Sequence, residues 1–315
     1  MKYLFHVMSK SGVKARLSVL IFHRVMAEPD PIFPNEVHAH RFDEICGWIR
    51  SWFNVLPLDV AAAQLKAGTL PARAACITFD DGYADNHDVA MPILRKHGLT
   101  ATFFIATGFL DGGRMWNDTV IESIRLARAD ALDVGEFGHF AVKTPAEKAA
   151  TIGAIIGKIK YLPVAERLAA TIHIATTAGV DPPDNLMLTS TQIKAMRQGG
   201  MLIGAHTVSH PILARLSNDQ ARAEIKASKD TLEQLLGERV GLFAYPNGKP
   251  GEDYSPQTVD VVRKLGFNAA VCTAWGASRM GDDPLQIRRF TPWDRNKTLF
   301  AGRLLTNLRF QGNAR

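Results

Sequence analysis

Two short polar clusters in this sequence carry side chains that commonly bind metal ions. Asp80 and Asp81 follow one apolar run directly, and His206 and His210 follow another. Adjacent carboxylates repel each other unless a cation or hydrogen bonds hold them. Histidines four residues apart lie on one face of a helical turn, so both imidazoles can reach one ion. Two histidines and one carboxylate, with coordination positions left open for water, predict a catalytic site for zinc or a similar ion.

Each cluster also has an ordinary structural interpretation when it is considered alone. An Asp-Asp-Gly sequence, as at 80–82, is a common surface turn. A pair of histidines four residues apart arises often by chance, in the core or facing solvent. Both clusters nevertheless come where a predicted strand ends, and reactive groups in parallel α/β folds lie at the carboxyl ends of the strands. Their positions therefore favour a shared site.

The rest of the chain must supply the elements that position these side chains. Short β-rich runs alternate with helical patterns, which is the signature of a parallel α/β sheet. The predicted strands are 17–22, 75–79, 101–106, 201–205, 242–245 and 267–273, with a short seventh at 287–290. The predicted helices are 41–53, 86–97, 217–236 and 256–265.

Residues 116–179 interrupt this alternation with a pattern that is helical throughout and contains no convincing strand. Strands resume afterwards, so we expect one catalytic domain over 1–315 with a helical insertion at about 116–179. A lid over the active-site cleft and a dimer contact are both open roles for the insertion. The oligomeric state does not follow from the sequence.

Taken together, the motifs resemble those of the polysaccharide deacetylases, the family with the NodB homology domain (carbohydrate esterase family 4). TFDD at 78–81 matches the first motif of the family, and HTVSH at 206–210 matches its second, H[S/T]xxH, in the same order. FAYPNG at 243–248 is a looser match to the third motif, in the FAYP variant. The resemblance covers about 19–290 and implies an α/β fold, a distorted (β/α)7-type barrel.

The resemblance also implies roles for individual residues. Asp81, His206 and His210 would bind a divalent metal, with zinc expected and cobalt or nickel also tolerated. Asp80 would be the general base that takes a proton from the attacking water. Attack on an acetyl carbonyl creates an oxyanion, and the ion together with the backbone N–H of Asn247 would stabilise it.

Two departures from the family pattern concern the remaining catalytic groups. The usual late histidine, which protonates the departing amine, is missing, because 285–289 reads LQIRR and arginine cannot act as an acid near neutral pH. Related branches carry a YHxV-like motif after the first strand, so we expect His23 to be the general acid. Its structural alternative is a histidine held by a backbone carbonyl. Ala244 replaces the arginine that orients the base, and Arg289 could reach Asp80 instead.

Aromatic side chains near the motifs are candidates for contact with a sugar ring. We expect Tyr83, Trp116 and Tyr245 to bind substrate, with Trp293 as a further candidate. Packing in the core or at a rim is an equally ordinary role for such residues. The expected partner is an acetylated sugar or polysaccharide.

Composition limits the other classes of function. The 46% apolar and 22% charged content is typical of a globular protein, and no apolar run is long enough to span a membrane. The basic N-terminus lacks the continuous apolar centre of a secretory signal, and the three cysteines lack metal-binding or disulfide spacing. We therefore expect a cytoplasmic protein with at most peripheral membrane contact. The net charge of +6 is scattered, so nucleic-acid binding is not expected.

The leading hypothesis is a metal-dependent hydrolase that removes N-acetyl or O-acetyl groups from an amino-sugar-containing glycan or glycoconjugate. The missing late histidine and the replacement by Ala244 motivate one alternative, a non-catalytic metal-dependent carbohydrate-binding protein. The other is a hydrolase of the same fold that cleaves a different non-peptide C–N bond, because the metal chemistry would be shared.

Overall fold

The computed structural model describes residues 1–292, 294 and 296–310. Its strands are β1 (Arg16–Phe22), β2 (Asn54–Val55), β3 (Ala74–Phe79), β4 (Thr102–Ile105), β5 (Ala131–Asp133), β6 (His139–Ala141), β7 (Leu202–Ala205), β8 (Leu242–Ala244), β9 (Ala269–Val271) and β10 (Ser278–Arg279). Its α-helices are α1 (Lys2–Met8), α2 (Ala39–Trp52), α3 (Leu58–Ala67), α4 (Met91–Lys96), α5 (Trp116–Leu126), α6 (Pro145–Ile159), α7 (Val164–Ala178), α8 (Ser190–Gln198), α9 (Asn218–Leu236), α10 (Pro256–Lys264) and α11 (Lys297–Arg309). No helix in these ranges is long and apolar enough to cross a membrane.

The core is a curled parallel sheet with the strand order β1-β3-β4-β7-β8-β9, as expected for a distorted barrel. The predicted seventh strand is reduced to two bridging residues. The Ile287 N–H donates to the carbonyl of Ala270 at 2.8 Å, and the Phe290 N–H donates to that of Val19 at 2.7 Å. This segment therefore contacts both end strands, β9 and β1. On this same edge, opposite β3, the first residues of β1 pair antiparallel with β10.

The strands formed where predicted because their residues are apolar on both faces. All six residues of β3 are buried, and β1 is buried at every position after Arg16. Strands covered on both faces by helices and core read as continuous apolar runs without alternation. The carboxyl ends of β1, β3, β7 and β8 lead directly to His23, Asp80, His206 and the loop of Asn247. Four separate segments thus deliver polar side chains to one edge of the sheet.

Helix α9 begins and ends as its sequence predicts. The Ser217 hydroxyl accepts from the Gln220 N–H, the Gln220 side chain accepts from the Ser217 N–H, and Gly237 ends the helix in the left-handed conformation. The predicted helix at 86–97 differs, because it opens with a π-helical turn, Asn86–Ala90, before α4. Pro92 lacks the N–H that a regular helix would use there.

The prediction of a wholly helical insertion is wrong at one place. Between α5 and α6, the strands β5 and β6 form an antiparallel hairpin. Each has only three residues, which is too short for an alternating pattern to be recognised. The hairpin and α5, α6 and α7 share an apolar cluster that includes Val120, Leu132, Ile155 and Ile174. The assignment of 1–315 to one domain stays a prediction.

Candidate active site

Asp81, His206 and His210 meet at the carboxyl edge of the sheet. The Oδ1 atom of Asp81 lies 3.5 Å from Nε2 of His206 and 3.4 Å from Nε2 of His210. All three candidate ligand atoms lie within 4.8 Å of one another. A tetrahedral ion with bonds of about 2.0–2.1 Å would hold its ligand atoms about 3.4 Å apart. Oδ1 of Asp81 is buried and has no hydrogen-bond partner in the described part of the chain, so the donor set fits a zinc-like ion.

The backbone that carries these ligands is strained. Residues 206–210 form an irregular loop, so the expectation that the two histidines share a helical turn is wrong. Thr207 and His210 have φ values of 66° and 52°, and Asp81 has a φ of 75°. Left-handed conformations are costly for residues with a Cβ and persist only where the surroundings enforce them. The turn in the loop, and not helical periodicity, brings the two imidazoles together.

Two further contacts hold the histidine loop in place. The carboxylate of Glu224, on α9, accepts hydrogen bonds from the N–H groups of Val208 and Ser209, both at 2.9 Å, and from the Ser209 hydroxyl at 2.7 Å. Nδ1 of His206 lies 2.7 Å from the carbonyl oxygen of Ala244. Because a carbonyl only accepts, Nδ1 donates this hydrogen bond, and Nε2 faces Asp81 and is the atom left to bind an ion.

Asp80 lies beside this cluster and is held by Arg289, as the sequence suggested it could be. The two terminal nitrogens of the Arg289 guanidinium donate to Oδ1 and Oδ2 of Asp80, each at 2.7 Å. The guanidinium also donates from Nε to the carbonyl of Cys272 at 3.1 Å. Burial raises the pKa of the Asp80 carboxyl, but the charge and hydrogen bonds of Arg289, together with the nearby His206 and His23, outweigh it, and the pKa falls below its usual value. Asp80 is therefore ionised at neutral pH.

The protonation states of the other three groups follow from the same balance. Burial raises the pKa of Asp81, but the histidines outweigh it and the pKa is strongly lowered. Burial lowers the pKa of His206, but Asp81 and Asp80 outweigh it and the pKa is raised. For His210 burial dominates and lowers the pKa to about 4, so its imidazole is neutral at pH 7.

A cavity of about 330 Å³ opens over the cluster and brings all six predicted catalytic and metal-binding residues together. Its lining includes Asp80, Asp81, His206, His210, His23 and Asn247. The imidazole of His23 is exposed and forms no hydrogen bond with any described residue. The alternative role, a histidine held in place by a backbone carbonyl, is therefore not observed. Asn247 is left-handed, with φ 55°, and its carbonyl accepts from the Thr273 hydroxyl at 2.9 Å. Its N–H has no acceptor among the described backbone groups.

Of the aromatic residues expected to contact substrate, Trp116 lines the cavity. One face of its indole is already covered, because the guanidinium of Arg167 lies 4.8 Å from the ring centroid. Trp293 lies outside the described residues.

The structure does not bring Tyr83 and Tyr245 into the cavity lining. Tyr83 is only 3% exposed and donates from its hydroxyl to Asp118 at 3.2 Å. Tyr245 is fully buried, stacks on Tyr254 with ring centroids 3.8 Å apart, and donates to the carbonyl of Leu285 at 3.0 Å. Both side chains bury their apolar rings and satisfy their hydroxyls internally, which is the ordinary packing role weighed above.

The insertion contributes several residues to the cavity that were not predicted from the sequence. Arg167 on α7, and Lys160 and Ile156 at the end of α6, all line it. The insertion is thus part of the wall of the site. Arg167 interrupts the buried face of α7, where Ala170 and Ile174 are apolar. A charged residue within an apolar stripe was the available signal.

Comparisons with known proteins agree with this arrangement. The sequence model of the family described as "Polysaccharide deacetylase" matches residues 67–138 and 163–270. The chain is 22% identical over 271 residues to YxkH of Bacillus subtilis (strain 168), covering 85% of this chain and 68% of that protein.

Two solved structures have the same fold. Streptococcus pyogenes deacetylase PplD in complex with acetate has a TM-score of 0.60 at 22% identity, covering 93% of this chain and 98% of that one. IcaB from Ammonifex degensii has a TM-score of 0.62 at 19% identity, with 96% and 99% covered. The chain belongs to the polysaccharide deacetylase family.

Proposed function

We propose that this protein is a divalent-metal-dependent deacetylase that hydrolyses the acetamide of an amino sugar in a glycan or glycoconjugate. Membership of the polysaccharide deacetylase family supports carbohydrate deacetylation. The observation that carries the metal-dependent chemistry is the convergence of Asp81, His206 and His210 beside an ionised Asp80. Acetylated amino sugars are the substrates that we infer for this site.

Asp81, His206 and His210 would hold the ion. A zinc, cobalt or nickel ion bound there would acidify a coordinated water and polarise the acetyl carbonyl. The hydrogen bond from His206 to the carbonyl of Ala244 fixes the tautomer that presents Nε2 as a ligand. Neutral His210 needs no deprotonation before it binds an ion at pH 7.

Asp80 is the proposed general base. Arg289 occupies one lone pair on each carboxylate oxygen, and each oxygen keeps another that can accept a proton from the attacking water. The paired arginine also fixes the direction of the carboxylate, because two parallel N–H···O bonds allow one orientation. The lowered pKa makes Asp80 a weaker base but keeps it ionised across the neutral range.

His23 is the proposed general acid, and Asn247 the proposed oxyanion donor. The leaving amine of an acetamide departs only when its nitrogen receives a proton, and the His23 imidazole lines the cavity without a competing hydrogen bond in the described chain. Asn247 borders the same cavity, and its backbone N–H has no acceptor among the described backbone groups. A preorganised N–H of this kind stabilises the charge that develops on the carbonyl oxygen.

The test separates metal binding from proton transfer. Asp81→Ala and His206→Ala should lose both zinc and acetate release from N-acetylglucosamine oligomers, because each removes one ligand. Asp80→Asn should retain zinc, measured by elemental analysis, yet lose acetate release, because an amide cannot accept the proton. Asp230→Asn, which changes an exposed carboxylate on α9, is the matched control and should retain both.

Asp80→Asn protein that releases acetate at the wild-type rate would contradict the proposed mechanism. Zinc-dependent sugar binding without acetate release from any acylated sugar would instead favour the non-catalytic alternative. Release of a different acyl or carbonyl product, with N-acetyl sugars untouched, would favour hydrolysis of another C–N bond.

A further inference from the structure

Arg167 is a buried cation with no acidic partner in the described part of the chain. The residue is 6% exposed and lines the catalytic cavity from α7. Its guanidinium forms no ion pair or side-chain hydrogen bond with a described residue, and its contact is the face of Trp116 at 4.8 Å. Arginine stays protonated even when burial opposes its charge. A buried charge without a counter-ion is costly and is uncommon unless a ligand compensates it.

Lys160 adds a second positive charge to the same wall. It lies at the C-terminal end of α6, is half-buried, and has no carboxylate partner among the described residues. The two acids that line the cavity are already engaged with other side chains. Asp80 is paired with Arg289, and Asp81 faces the two histidines. The cavity therefore has a catalytic wall with carboxylates and an insertion wall with two uncompensated cations.

We propose that Arg167 and Lys160 form a subsite for an anionic substituent, a carboxylate or a phosphate, on the sugar whose acetamide is cleaved. This inference rests on the proposed function and narrows its substrate class to acidic amino-sugar derivatives. The guanidinium presents paired N–H donors that match the spacing of two carboxylate or phosphate oxygens. Trp116 covers one face of the guanidinium and so holds its plane in place.

The arrangement also predicts discrimination against neutral sugars. A neutral substrate that fills the cavity would displace water from Arg167 without supplying a counter-charge. An anionic substrate would satisfy that donor set in a partly enclosed space, where charge-assisted hydrogen bonds are stronger than in open water. The subsite is thus a source of specificity, separate from the residues that act on the acetyl group.

The test compares three probes with one acetamide each: methyl N-acetylglucosaminide, N-acetylglucosamine 1-phosphate and N-acetylmuramic acid. For the zinc-loaded wild type, we expect kcat/KM for acetate release to be about tenfold or more higher for one anionic probe than for the neutral one. The anionic probe that is preferred tells whether phosphate or carboxylate is recognised. The preference should weaken as salt is added.

In Arg167→Gln the ratio of anionic to neutral kcat/KM should fall towards one, whereas Arg167→Lys should retain part of it. Lys160→Gln, at a half-buried position that folding tolerates more readily, should lower the ratio as well. Arg222→Gln removes an exposed charge from α9, outside the cavity lining, and should leave the ratio at the wild-type value. Equal use of all three probes by the wild type would overturn the proposal, as would a ratio unaltered by both Arg167→Gln and Lys160→Gln.

Calorimetric titration keeps this result distinct from a failure of the proposed function. If no probe releases acetate, the deacetylase assignment fails, but binding can still be measured. Each anionic probe would be titrated into three zinc-loaded proteins, the wild type, Lys160→Gln and Arg167→Gln. Weaker binding by the variants supports the subsite, and equal affinity in all three proteins overturns it.

Discussion

The guanidinium of Arg289 donates to both carboxylate oxygens of Asp80 at 2.7 Å, although 209 residues separate the two in the chain. The Arg289 side chain is fully buried, and Asp80 lines the catalytic cavity. In the family pattern an arginine of the third motif orients the base, and this chain has Ala244 at that position. A guanidinium that arrives from a different segment therefore satisfies the same carboxylate.

Replacement of Arg289 by lysine should impair catalysis more than substrate binding. Lysine keeps the positive charge but loses the paired donors that orient Asp80. We expect kcat to fall by about 10–100-fold with little change in KM, in line with the loss of other groups that orient an active-site residue. Steady-state acetate release measures both constants, and Arg263→Lys, at an exposed arginine on α10, is the control. A rise in KM alone would mean that Arg289 acts on substrate binding.

Glu224 should be needed for tight metal binding although it is not a candidate ligand. Its carboxylate holds two N–H groups and a hydroxyl of the loop between His206 and His210. Glu224→Ala should weaken zinc affinity by about 10–100-fold, because the loop loses its support. Competition with a zinc chelator measures that affinity, and Asp230→Ala on the same helix is the control. Unchanged zinc affinity in Glu224→Ala would show that the strained loop keeps its conformation without Glu224.

The loss of kcat caused by His23→Ala should depend on the leaving group of the substrate. On an N-acetyl sugar we expect kcat to fall by about 100-fold or more, because the amine cannot leave unprotonated. On 4-nitrophenyl acetate the loss should be much smaller, since that phenolate leaves without an acid. Zinc content should equal that of the wild type. Equal losses on both substrates would assign His23 a role in binding or structure.

Asp118 should make the stability of the protein fall as the pH rises towards 7. Burial raises the pKa of its carboxyl to about 7, partly offset by the charge of Arg24, and Oδ2 has no partner in the described chain. The unfolded pKa is about 3.9, so between pH 4 and 7 the folded protein holds a proton that the unfolded chain releases. Stability is therefore lost across that window.

Asp118→Asn should remove this dependence and still accept the hydrogen bond from Tyr83. The free energy of unfolding of the variant minus that of the wild type should be on the order of 2 kcal/mol larger at pH 8 than at pH 5. Urea unfolding of the zinc-loaded proteins at both pH values measures the gain, and Asp130→Asn, at an exposed aspartate, serves as the control. The same difference at both pH values would place the ionisation elsewhere.

The long apolar strands and the motif residues at their ends could be predicted from sequence, because both are local patterns. β3 reads as one apolar run, and Asp80 and Asp81 follow it directly. The hairpin of β5 and β6 could not be predicted, since strands of three residues carry almost no periodic signal. The loop at 206–210 was interpreted as helical because the spacing of its histidines is compatible with a helix, whereas left-handed φ values at Thr207 and His210 rule one out.

Side-chain partners that come from distant segments of the chain also could not be predicted from the sequence. Glu224 belongs to the otherwise ordinary helix α9, and nothing in its local pattern identifies the loop that it holds. Arg289 was considered as a partner of Asp80 because Ala244 replaces the arginine of the family's third motif. The residues around Arg289 gave no such indication. Arg167 carries a local signal, a charge within an apolar face, but the cavity that it lines is a property of the tertiary fold.

In the proposed mechanism, one ion held by Asp81, His206 and His210 is required for deacetylation. The direct measurement is a zinc titration of chelator-stripped protein, with bound zinc and acetate release from N-acetylglucosamine oligomers followed together. Activity should rise in proportion to bound zinc and reach its plateau at about one ion per chain. Full acetate release by protein that elemental analysis finds free of zinc, cobalt, nickel and other divalent transition metals would contradict the account.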